Sequence, residues 1–98
     1  MGGRPIHQVL ELLGRRWCLR LIWELHHRSP IGPRALAQRS GGVSTSVLYQ
    51  RLYELTEAGI VAQNDDDAYG LTAIGEELGA TLEELGPWTV RWLRQSGR

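Results

Sequence analysis

One stretch of the chain decides the fold, and it spans residues 34–69: RALAQRSGGVSTSVLYQRLYELTEAGIVAQNDDDAY. A short helix fits Arg34–Arg39, and Ser40–Val43, with two successive glycines, is typical of a tight turn. A longer helix follows to about Ala58, because apolar side chains recur there three and four residues apart. These side chains are Leu48, Leu52 and Leu55. Two helices joined by such a turn form a helix-turn-helix, here at about residues 34–58.

A short hairpin follows the longer helix directly. Ile60–Ala62 and Ala68–Leu71 are predicted strands, and Asn64–Asp67 is the predicted turn between them. A hairpin at this place, about residues 60–71, forms a wing beside the two helices. The predicted fold class is therefore mainly α with a small β-hairpin, a winged helix-turn-helix.

Local signals mark the ends of these elements. Ser44 is suited to cap the longer helix, since its side chain can accept a backbone N–H of the first turn. Gly59 suits the position just past the end of that helix. Pro33 suits the first turn of the short helix. Thr72 can cap a further helix that begins after the wing.

Further helices are predicted on both sides of the winged unit. Apolar side chains at helical spacing indicate a first helix over residues 6–13 and a second from about Arg15–His27. After the wing, a helix capped by Thr72 reaches Leu85. Gly86-Pro87 is expected to break it, and a last helical segment covers Trp88–Arg94.

Size and composition limit the class of protein. With 98 residues, the chain is expected to form one domain over 1–98. Its one cysteine, Cys18, excludes an intrachain disulfide. His26 and His27 point about 100° apart on a helix and cannot clamp one ion, so no metal and no cofactor are expected. A domain this small often needs extra buried surface, which leaves a second copy of the chain as its source.

Signals for a membrane, for secretion and for catalysis are not visible in the sequence. No apolar run approaches the roughly 20 residues that cross a bilayer. The N-terminus Met1–Pro5 lacks the apolar core of a signal peptide, so a cytoplasmic location is expected. The chain also carries no nucleophile–base–acid set and no phosphate-binding glycine loop, so we do not expect an enzyme.

Charge is unevenly distributed, although the formal net charge is zero. Residues 28–53 contain four arginines and no carboxylate, whereas residues 54–90 contain nine carboxylates and no arginine. A local basic face can bind phosphate even on a neutral domain. The same asymmetry is also compatible with an ordinary solvated surface, so charge alone does not decide the function.

The longer helix presents a polar face opposite its leucines. The side chains of this face are neutral hydrogen-bonding types: Thr45, Ser46, Tyr49, Gln50 and Tyr53. Such side chains can reach base edges of double-stranded DNA, and glutamine can bond bidentately to adenine. We predict base or groove contacts by Ser46, Tyr49 and Gln50, with Thr45 beside them. Arg51 is predicted to contact a backbone phosphate, and Ser44 to position the helix and offer its hydroxyl to phosphate.

Three segments, in this order and spacing, resemble the HxlR family of winged-helix regulators. Arg4-Pro5-Ile6, a helix and Gly14–Trp17 are similar to the family's Cys-Pro-(Ile/Val), helix and Gly-Gly-Lys-Trp. Gly42–Val61 is similar to Gly-Ile-Ser-x-x-Val-Leu-x-x-Arg-Leu-x-x-Leu-x-x-x-Gly-(Leu/Ile)-(Val/Ile). Tyr69–Gly75 is similar to Tyr-x-Leu-Thr-x-x-Gly. The resemblance covers nearly the whole chain.

The resemblance implies a sequence-specific DNA-binding transcriptional regulator that acts as a homodimer on a palindromic operator. The family dimerises through its N-terminal and C-terminal helices, here residues 6–13 and 73–94. The residues expected at this interface, or in an effector pocket within it, are Ile6, Val9, Leu10, Trp17, Leu85, Trp88 and Trp92. The alternatives for the tryptophans are a dimer core and an aromatic-lined pocket for a small planar effector, and Trp23 fits either.

Three departures from the family pattern bear on function. Arg4 stands where members that sense electrophiles or oxidants carry cysteine, and Cys18 is predicted to be a small buried hydrophobe. Gly32-Pro33 replaces an Arg-Phe pair, so Arg34 is expected to take over a phosphate contact one residue later. Asp65–Asp67 make the wing acidic, and an acidic wing repels phosphate. DNA contacts are therefore expected from the longer helix, the recognition helix of the helix-turn-helix, rather than from the wing.

The acidic wing also supports a different function class, a winged-helix protein-interaction module without strong DNA binding. The neutral net charge and Asp65–Asp67 favour this alternative. Adjacent turn carboxylates rarely converge on a cation without other ligands, so metal binding by the wing is not predicted. Binding to random duplex DNA at low salt distinguishes a regulator from an interaction module.

Overall fold

The computed structural model describes residues 5–97, which form six helices and a two-stranded sheet. The helices are α1 (Pro5–Leu13), α2 (Cys18–Arg28), α3 (Pro33–Arg39), α4 (Thr45–Glu57), α5 (Ala73–Glu83) and α6 (Leu85–Gln95). Strands β1 (Val61–Gln63) and β2 (Tyr69–Leu71) are antiparallel, with Val61 opposite Leu71 and Gln63 opposite Tyr69. The predicted fold class, mainly α with a hairpin wing, is confirmed.

The predicted end signals of α4 and α5 are confirmed. The Oγ of Ser44 accepts the backbone N–H of Val47 at 3.3 Å, which caps α4. The Oγ1 of Thr72 accepts the N–H of Gly75 at 3.1 Å, which caps α5. Gly59 follows α4 with a φ of 76°, a left-handed conformation that glycine adopts without the steric penalty of a side chain.

The start of α2 differs from the prediction. The helix begins at Cys18 rather than near Arg15, because the residues after Gly14 form a turn. Trp17 ends this turn in the left-handed region, with a φ of 78°. A right-handed helix cannot include a residue with this backbone conformation, so α2 begins after it. Helical spacing of apolar residues could not reveal this turn, since the periodic residues of α2 start only at Cys18.

The predicted break at Gly86-Pro87 is wrong. The chain turns at Glu84, and α6 already begins at Leu85. Gly86 and Pro87 therefore lie in the first turn of α6. Proline is tolerated there, because the N–H groups of a first helical turn have no partner within the helix.

An apolar core lies between α2, α3, α4, α5 and the wing. The leucines that predicted the longer helix, Leu48, Leu52 and Leu55, are all buried. They pack with buried side chains of the neighbouring elements: Cys18, Leu21, Ile22, Leu25, Leu36, Val43, Ile60, Val61, Tyr69 and Leu82. This core fixes α4 against α3 and leaves the opposite side of α4 in solvent.

A third extended segment, absent from the prediction, supports the wing. Ile31, in the loop between α2 and α3, pairs with Tyr69 of β2 in an isolated antiparallel bridge. The Ile31 N–H donates to the Tyr69 carbonyl at 3.0 Å, and the Tyr69 N–H donates to the Ile31 carbonyl at 2.8 Å. The base of the wing is thus tied to the segment that leads into α3.

The terminal helices α1 and α6 contribute no buried residue. The Cα radius of gyration is 14.4 Å, whereas a compact domain of this length is expected near about 13 Å. The chain is therefore more extended than a compact single-core domain, as expected when its terminal helices bury little. Among residues 5–97, no helix is long and apolar enough to span a membrane.

Two histidines at the end of α2 contact two carboxylates of α5. Nδ1 of His26 lies 2.9 Å from Glu76 Oε1, and its Nε2 lies 3.4 Å from Glu83 Oε1. Nε2 of His27 also contacts Glu83, and its Nδ1 lies 2.7 Å from the Trp23 carbonyl. These contacts join the end of α2 to α5.

This histidine contact predicts a pH dependence of stability. The hydrogen bond to the Trp23 carbonyl, followed by the charges of Glu83 and Glu24, raises the pKa of His27 above its ordinary value. Since folding favours the protonated form, the contribution is complete below about pH 6 and is lost as pH rises above about 6.5 through the raised pKa. Because His27 is exposed, we expect a fall in Tm of about 2 °C between pH 6 and pH 8.

Thermal unfolding followed by circular dichroism checks this prediction. His27→Ala is expected to flatten the pH dependence, whereas His7→Ala, an exposed histidine on α1, keeps it. An equal slope in the wild type and the His27 variant would contradict the assignment.

Candidate nucleic-acid interface

The first part of the candidate interface is a groove between α3 and α4. It has a volume of about 410 Å³ and is lined by Pro33, Arg34, Ala37, Gln38, Thr45, Leu48 and Tyr49. The structure thus brings together three residues predicted separately as DNA contacts, Arg34 from α3 and Thr45 and Tyr49 from α4. Gln38 and Pro33 were not predicted, and helical spacing from Arg34 is the signal that could have found Gln38.

The second part is the outward face of α4. Ser46 and Gln50 lie one turn apart on this helix, and both are exposed. Ser44 is exposed as well, and its Oγ is occupied as an acceptor by the N–H of Val47, so only its hydroxyl proton remains to meet a phosphate. The N-terminus of α4 itself favours a negatively charged group.

Arg34 and Arg51 differ sharply in their surroundings. Arg34 is exposed, and its side chain forms no ion pair with any residue of the described range 5–97. Arg51 is only 20% exposed, its Nε donates to the Arg16 carbonyl at 2.9 Å, and its Nη1 lies 3.3 Å from Glu54 Oε1. The guanidinium of Arg51 therefore ties α4 to the α1–α2 turn. This arrangement argues against the predicted phosphate contact of Arg51.

Glu54, which the sequence analysis did not single out, is the centre of a polar cluster on α4. Its Oε2 accepts from Arg15 Nη1 at 2.9 Å and from Gln50 Nε2 at 2.9 Å. The hydrogen bond from Gln50, together with the charges of Arg15 and Arg51, lowers the pKa of Glu54. The i,i+4 spacing of Gln50 and Glu54 is a signal that could have found half of this cluster.

The wing presents its acidic turn to solvent. Asp65, Asp66 and Asp67 are exposed, and Asn64 organises the turn by accepting the N–H groups of Asp66 at 2.8 Å and Ala68 at 3.0 Å. Within residues 5–97, no group of three or more histidine, cysteine or acidic side chains is arranged to hold a metal ion. The positive and neutral side chains of the candidate interface therefore lie on α3 and α4, whereas the exposed turn of the wing is acidic.

A sequence model of the HxlR-like helix-turn-helix family matches residues 12–97. The chain belongs to this HxlR family. A comparison with curated protein sequences gave no match. Among solved structures, the quinone-bound YodB from B. subtilis has 27% sequence identity and a TM-score of 0.80, over 92% of this chain and 99% of that chain.

Two further solved structures share the fold. A possible HxlR family transcriptional factor from Thermoplasma volcanium has 22% identity and a TM-score of 0.76, over 96% of this chain and 89% of that chain. A MarR-family regulator from Enterococcus faecalis has 24% identity and a TM-score of 0.79, over 100% and 96%. The HxlR family and these structures are transcriptional regulators rather than enzymes. The HxlR chain is accordingly a DNA-binding regulator by family and fold.

Most residues predicted for an HxlR dimer interface are solvent-exposed apolar groups. Ile6 and Leu10 are exposed on α1, and Leu85, Trp88 and Trp92 are exposed on α6. Val9 is half-buried. The rings of Trp88 and Trp92 stack at 5.8 Å with an interplanar angle of 10°.

Trp17, predicted in the same set, has different surroundings. It is half-buried against the core, beneath the guanidinium of Arg16 at 5.5 Å from the ring centroid. It also lies near Gly41 in the α3–α4 turn, since a Cβ on that glycine would lie 4.0 Å from the indole. We therefore leave Trp17 out of the proposed dimer face.

Cys18 is buried, as the sequence predicted for a small hydrophobe. Burial raises the pKa of its thiol, and the nearby positive charge of Arg51 only partly opposes this effect. A protonated, enclosed thiol is a poor nucleophile. Arg4, which stands at the family's cysteine position, lies outside the described residues.

Proposed function

We propose that this HxlR-family protein binds a palindromic DNA operator as a homodimer, with α4 entering the major groove. The observation that carries the proposal is the exposed groove between α3 and α4, which is lined by Arg34, Thr45 and Tyr49. Ser46 and Gln50 are exposed on the same helix as Thr45 and Tyr49. One cationic side chain and several neutral hydrogen-bonding ones suit a phosphate and adjacent base edges. The family match supports DNA as the partner.

Each proposed contact has a distinct role. Arg34 neutralises a backbone phosphate, because its guanidinium is exposed and forms no ion pair with another residue between 5 and 97. Gln50 reads a base, and Ser46 and Tyr49 contact base edges or the groove wall. The acidic wing stays away from phosphate, since like charges repel. Arg51 is not assigned a DNA contact, because its side chain is only 20% exposed and its Nε and Nη1 already bind Arg16 and Glu54.

A second copy of the chain is proposed to cover the apolar faces of α1 and α6. Neither helix contains a buried residue, although both expose large apolar side chains. In such a dimer, two copies of α4 would lie about 34 Å apart, one helical turn of DNA. The two-fold symmetry of such a dimer makes a palindromic operator the matching partner, and the spacing sets the distance between its half-sites. The dimerising parts, 6–13 and 73–94, are proposed because of these exposed apolar faces. The single domain over 1–98 is proposed because α2, α3, α4, α5 and the wing share one apolar core.

Substitutions of Arg34 and Gln50 test the DNA contacts. Arg34→Ala is expected to weaken binding to every duplex about tenfold or more and to reduce the salt slope by about two, because each copy in the proposed dimer loses one phosphate contact. Gln50→Ala is expected to relax sequence preference at one base pair, by about 1–3 kcal/mol of discrimination. Fluorescence anisotropy over a salt series, with operators selected from a random library, measures both effects.

Arg91→Ala, on α6, is the control for Arg34→Ala and should leave affinity and salt slope unchanged. An unchanged salt slope for Arg34→Ala would remove the phosphate assignment. If the wild-type protein failed to bind random duplex DNA even at low salt, the protein-interaction module with its acidic wing would replace this proposal.

A response to a small planar effector is a further part of the proposal. The parallel indoles of Trp88 and Trp92 lie exposed on the helix that the dimer would cover. The YodB structure is a quinone-bound one, which makes quinones the first compounds to test here. Titration with quinones is expected to quench tryptophan fluorescence in the wild type but not in Trp88→Ala, and equal responses would exclude this site.

A further inference from the structure

The amide of Gln50 is held by a carboxylate one turn further along α4. Gln50 Nε2 donates to Glu54 Oε2 at 2.9 Å. The same oxygen accepts from Arg15 Nη1 at 2.9 Å, and the other oxygen lies 3.3 Å from Arg51 Nη1. The Glu54 side chain is only 14% exposed, compared with 53% for Arg15. Three donors from two parts of the chain therefore fix one carboxylate on the proposed recognition helix.

We propose that Glu54 is a positioning residue that sets the base preference of Gln50 and restrains non-specific DNA binding. The proposal rests on the proposed function, since it assigns a role within the same DNA-binding surface. Glu54 itself need not touch DNA. It acts through the orientation of the Gln50 amide and through the charges of Arg15 and Arg51.

The orientation argument follows from hydrogen-bond chemistry. An ionised carboxylate can only accept hydrogen bonds, so the amide of Gln50 must turn its nitrogen toward Glu54. The reversed amide would place two acceptor oxygens against each other. The lowered pKa of Glu54, caused first by the Gln50 hydrogen bond, keeps this carboxylate ionised at neutral pH.

The fixed amide presents a defined pattern to DNA. One N–H of Gln50 is taken by Glu54, which leaves the second N–H and the carbonyl oxygen for a base. One donor beside one acceptor matches the N7 acceptor and N6 amino donor of adenine. Because the amide cannot reverse, bases that need the opposite arrangement are disfavoured before binding begins. This is preorganisation, which improves discrimination by removing alternatives from the free protein.

The charge argument concerns Arg15 and Arg51. Both guanidiniums lie beside α4, and both pair with Glu54. An unpaired arginine at this place would gain from any phosphate, whatever the sequence, and would raise non-specific affinity. By pairing with them, Glu54 leaves the exposed Arg34 as a phosphate contact and keeps the non-specific part of the binding energy small.

The test compares Glu54→Gln with Glu57→Gln, which removes the same charge from the exposed end of the same helix. Anisotropy titrations over a salt series use three duplexes. They are the selected operator, the same operator with another base in place of the adenine assigned to Gln50, and a random duplex. Glu54→Gln is expected to reduce discrimination between the two operators about tenfold. It should also steepen the salt slope for random duplex by about one or more. Glu57→Gln should keep discrimination within about twofold.

A double substitution separates positioning from a loss of structure. If Glu54 acts through the Gln50 amide, Glu54→Gln has no further effect on base discrimination in a Gln50→Ala background. Thermal unfolding of every variant identifies those that remain folded. Equal discrimination in Glu54→Gln and Glu57→Gln, or an undiminished effect in the Gln50→Ala background, would overturn the positioning role. Failure of the wild type to bind DNA would instead overturn the proposed function, and this inference with it.

Discussion

Among glycine-to-alanine substitutions in residues 5–97, Gly75→Ala is expected to lower the free energy of unfolding most. A Cβ at this position would lie 2.1 Å from the Ile60 carbonyl oxygen and 3.1 Å from its carbonyl carbon. Both contacts are with backbone atoms, so rotation of a side chain cannot relieve them. We expect a loss of about 3 kcal/mol and a fall in Tm of about 15 °C.

The Ile60 carbonyl cannot move away without further losses. It accepts the Thr72 N–H at 3.0 Å, and Thr72 Oγ1 lies 3.2 Å from it and 2.6 Å from the Gly59 carbonyl. A shift would therefore break the junction that joins the end of α4 to the start of α5. For a domain with a total stability of about 5–10 kcal/mol, this loss is a large fraction.

Gly86→Ala is the control, because it adds the same methyl group to a helical glycine whose new Cβ would meet no atom of another element within 4 Å. It is expected to change stability by about 1 kcal/mol or less, since alanine favours helix but Pro87 disfavours a helical backbone for a preceding residue that carries a Cβ. Urea and thermal unfolding at one protein concentration compare the two variants. A Gly75 variant that melts within about 3 °C of the wild type would refute the close approach of α5 to Ile60.

Elements that depend on near neighbours in sequence could be predicted. The spacing of Leu48, Leu52 and Leu55 predicts which side of α4 is buried, because helical geometry alone sets it. Ser44 and Thr72 cap their helices through atoms three residues away. The resemblance likewise included Gly75 in the pattern Tyr-x-Leu-Thr-x-x-Gly, but only the structure shows the backbone that a side chain would meet.

Features that depend on distant contacts could not be predicted. Arg51 reads as an exposed cation on a polar helix, yet the Arg16 carbonyl, 35 residues earlier, turns its guanidinium inward. That carbonyl belongs to the turn before α2, which ends at Trp17 in a left-handed backbone conformation. Likewise, the pairing of Ile31 with Tyr69 has no signal in either segment alone. The half-buried, paired Arg51 therefore argues against its predicted phosphate contact, whereas the exposed Arg34 and the neutral side chains of α4 stay predicted DNA contacts.

Trp88→Glu is expected to convert the proposed dimer to a monomer. Trp88 is 49% exposed and shares one face of α6 with Leu85 and Trp92, because these residues lie three, four and seven positions apart. A buried interface tryptophan commonly carries at least 2 kcal/mol of binding energy, and a glutamate in its place adds the cost of a buried charge. Since the proposed dimer contains this residue twice, the loss is at least about 4 kcal/mol, and we expect the Kd for dimerisation to rise about 1,000-fold.

Val90→Glu provides a closely matched control on the same helix. Val90 is 51% exposed, nearly as much as Trp88, but it lies two residues away and therefore about 200° around α6. Neither substitution should unfold the monomer, since α6 contains no buried residue. Sedimentation velocity at micromolar concentration should show a dimer for Val90→Glu and a monomer for Trp88→Glu.

Loss of the proposed dimer has a consequence for DNA binding that substitution of a DNA-contact residue does not have. In the proposed dimer, two linked copies of α4 bind two half-sites together, because the first half-site bound raises the effective concentration at the second. Trp88→Glu should therefore weaken binding to the full operator about 100-fold while leaving affinity for an isolated half-site nearly unchanged. Arg34→Ala should weaken both. If Trp88→Glu remained dimeric, or if it lowered half-site affinity as much as operator affinity, α6 would not be the element that spaces the two recognition helices.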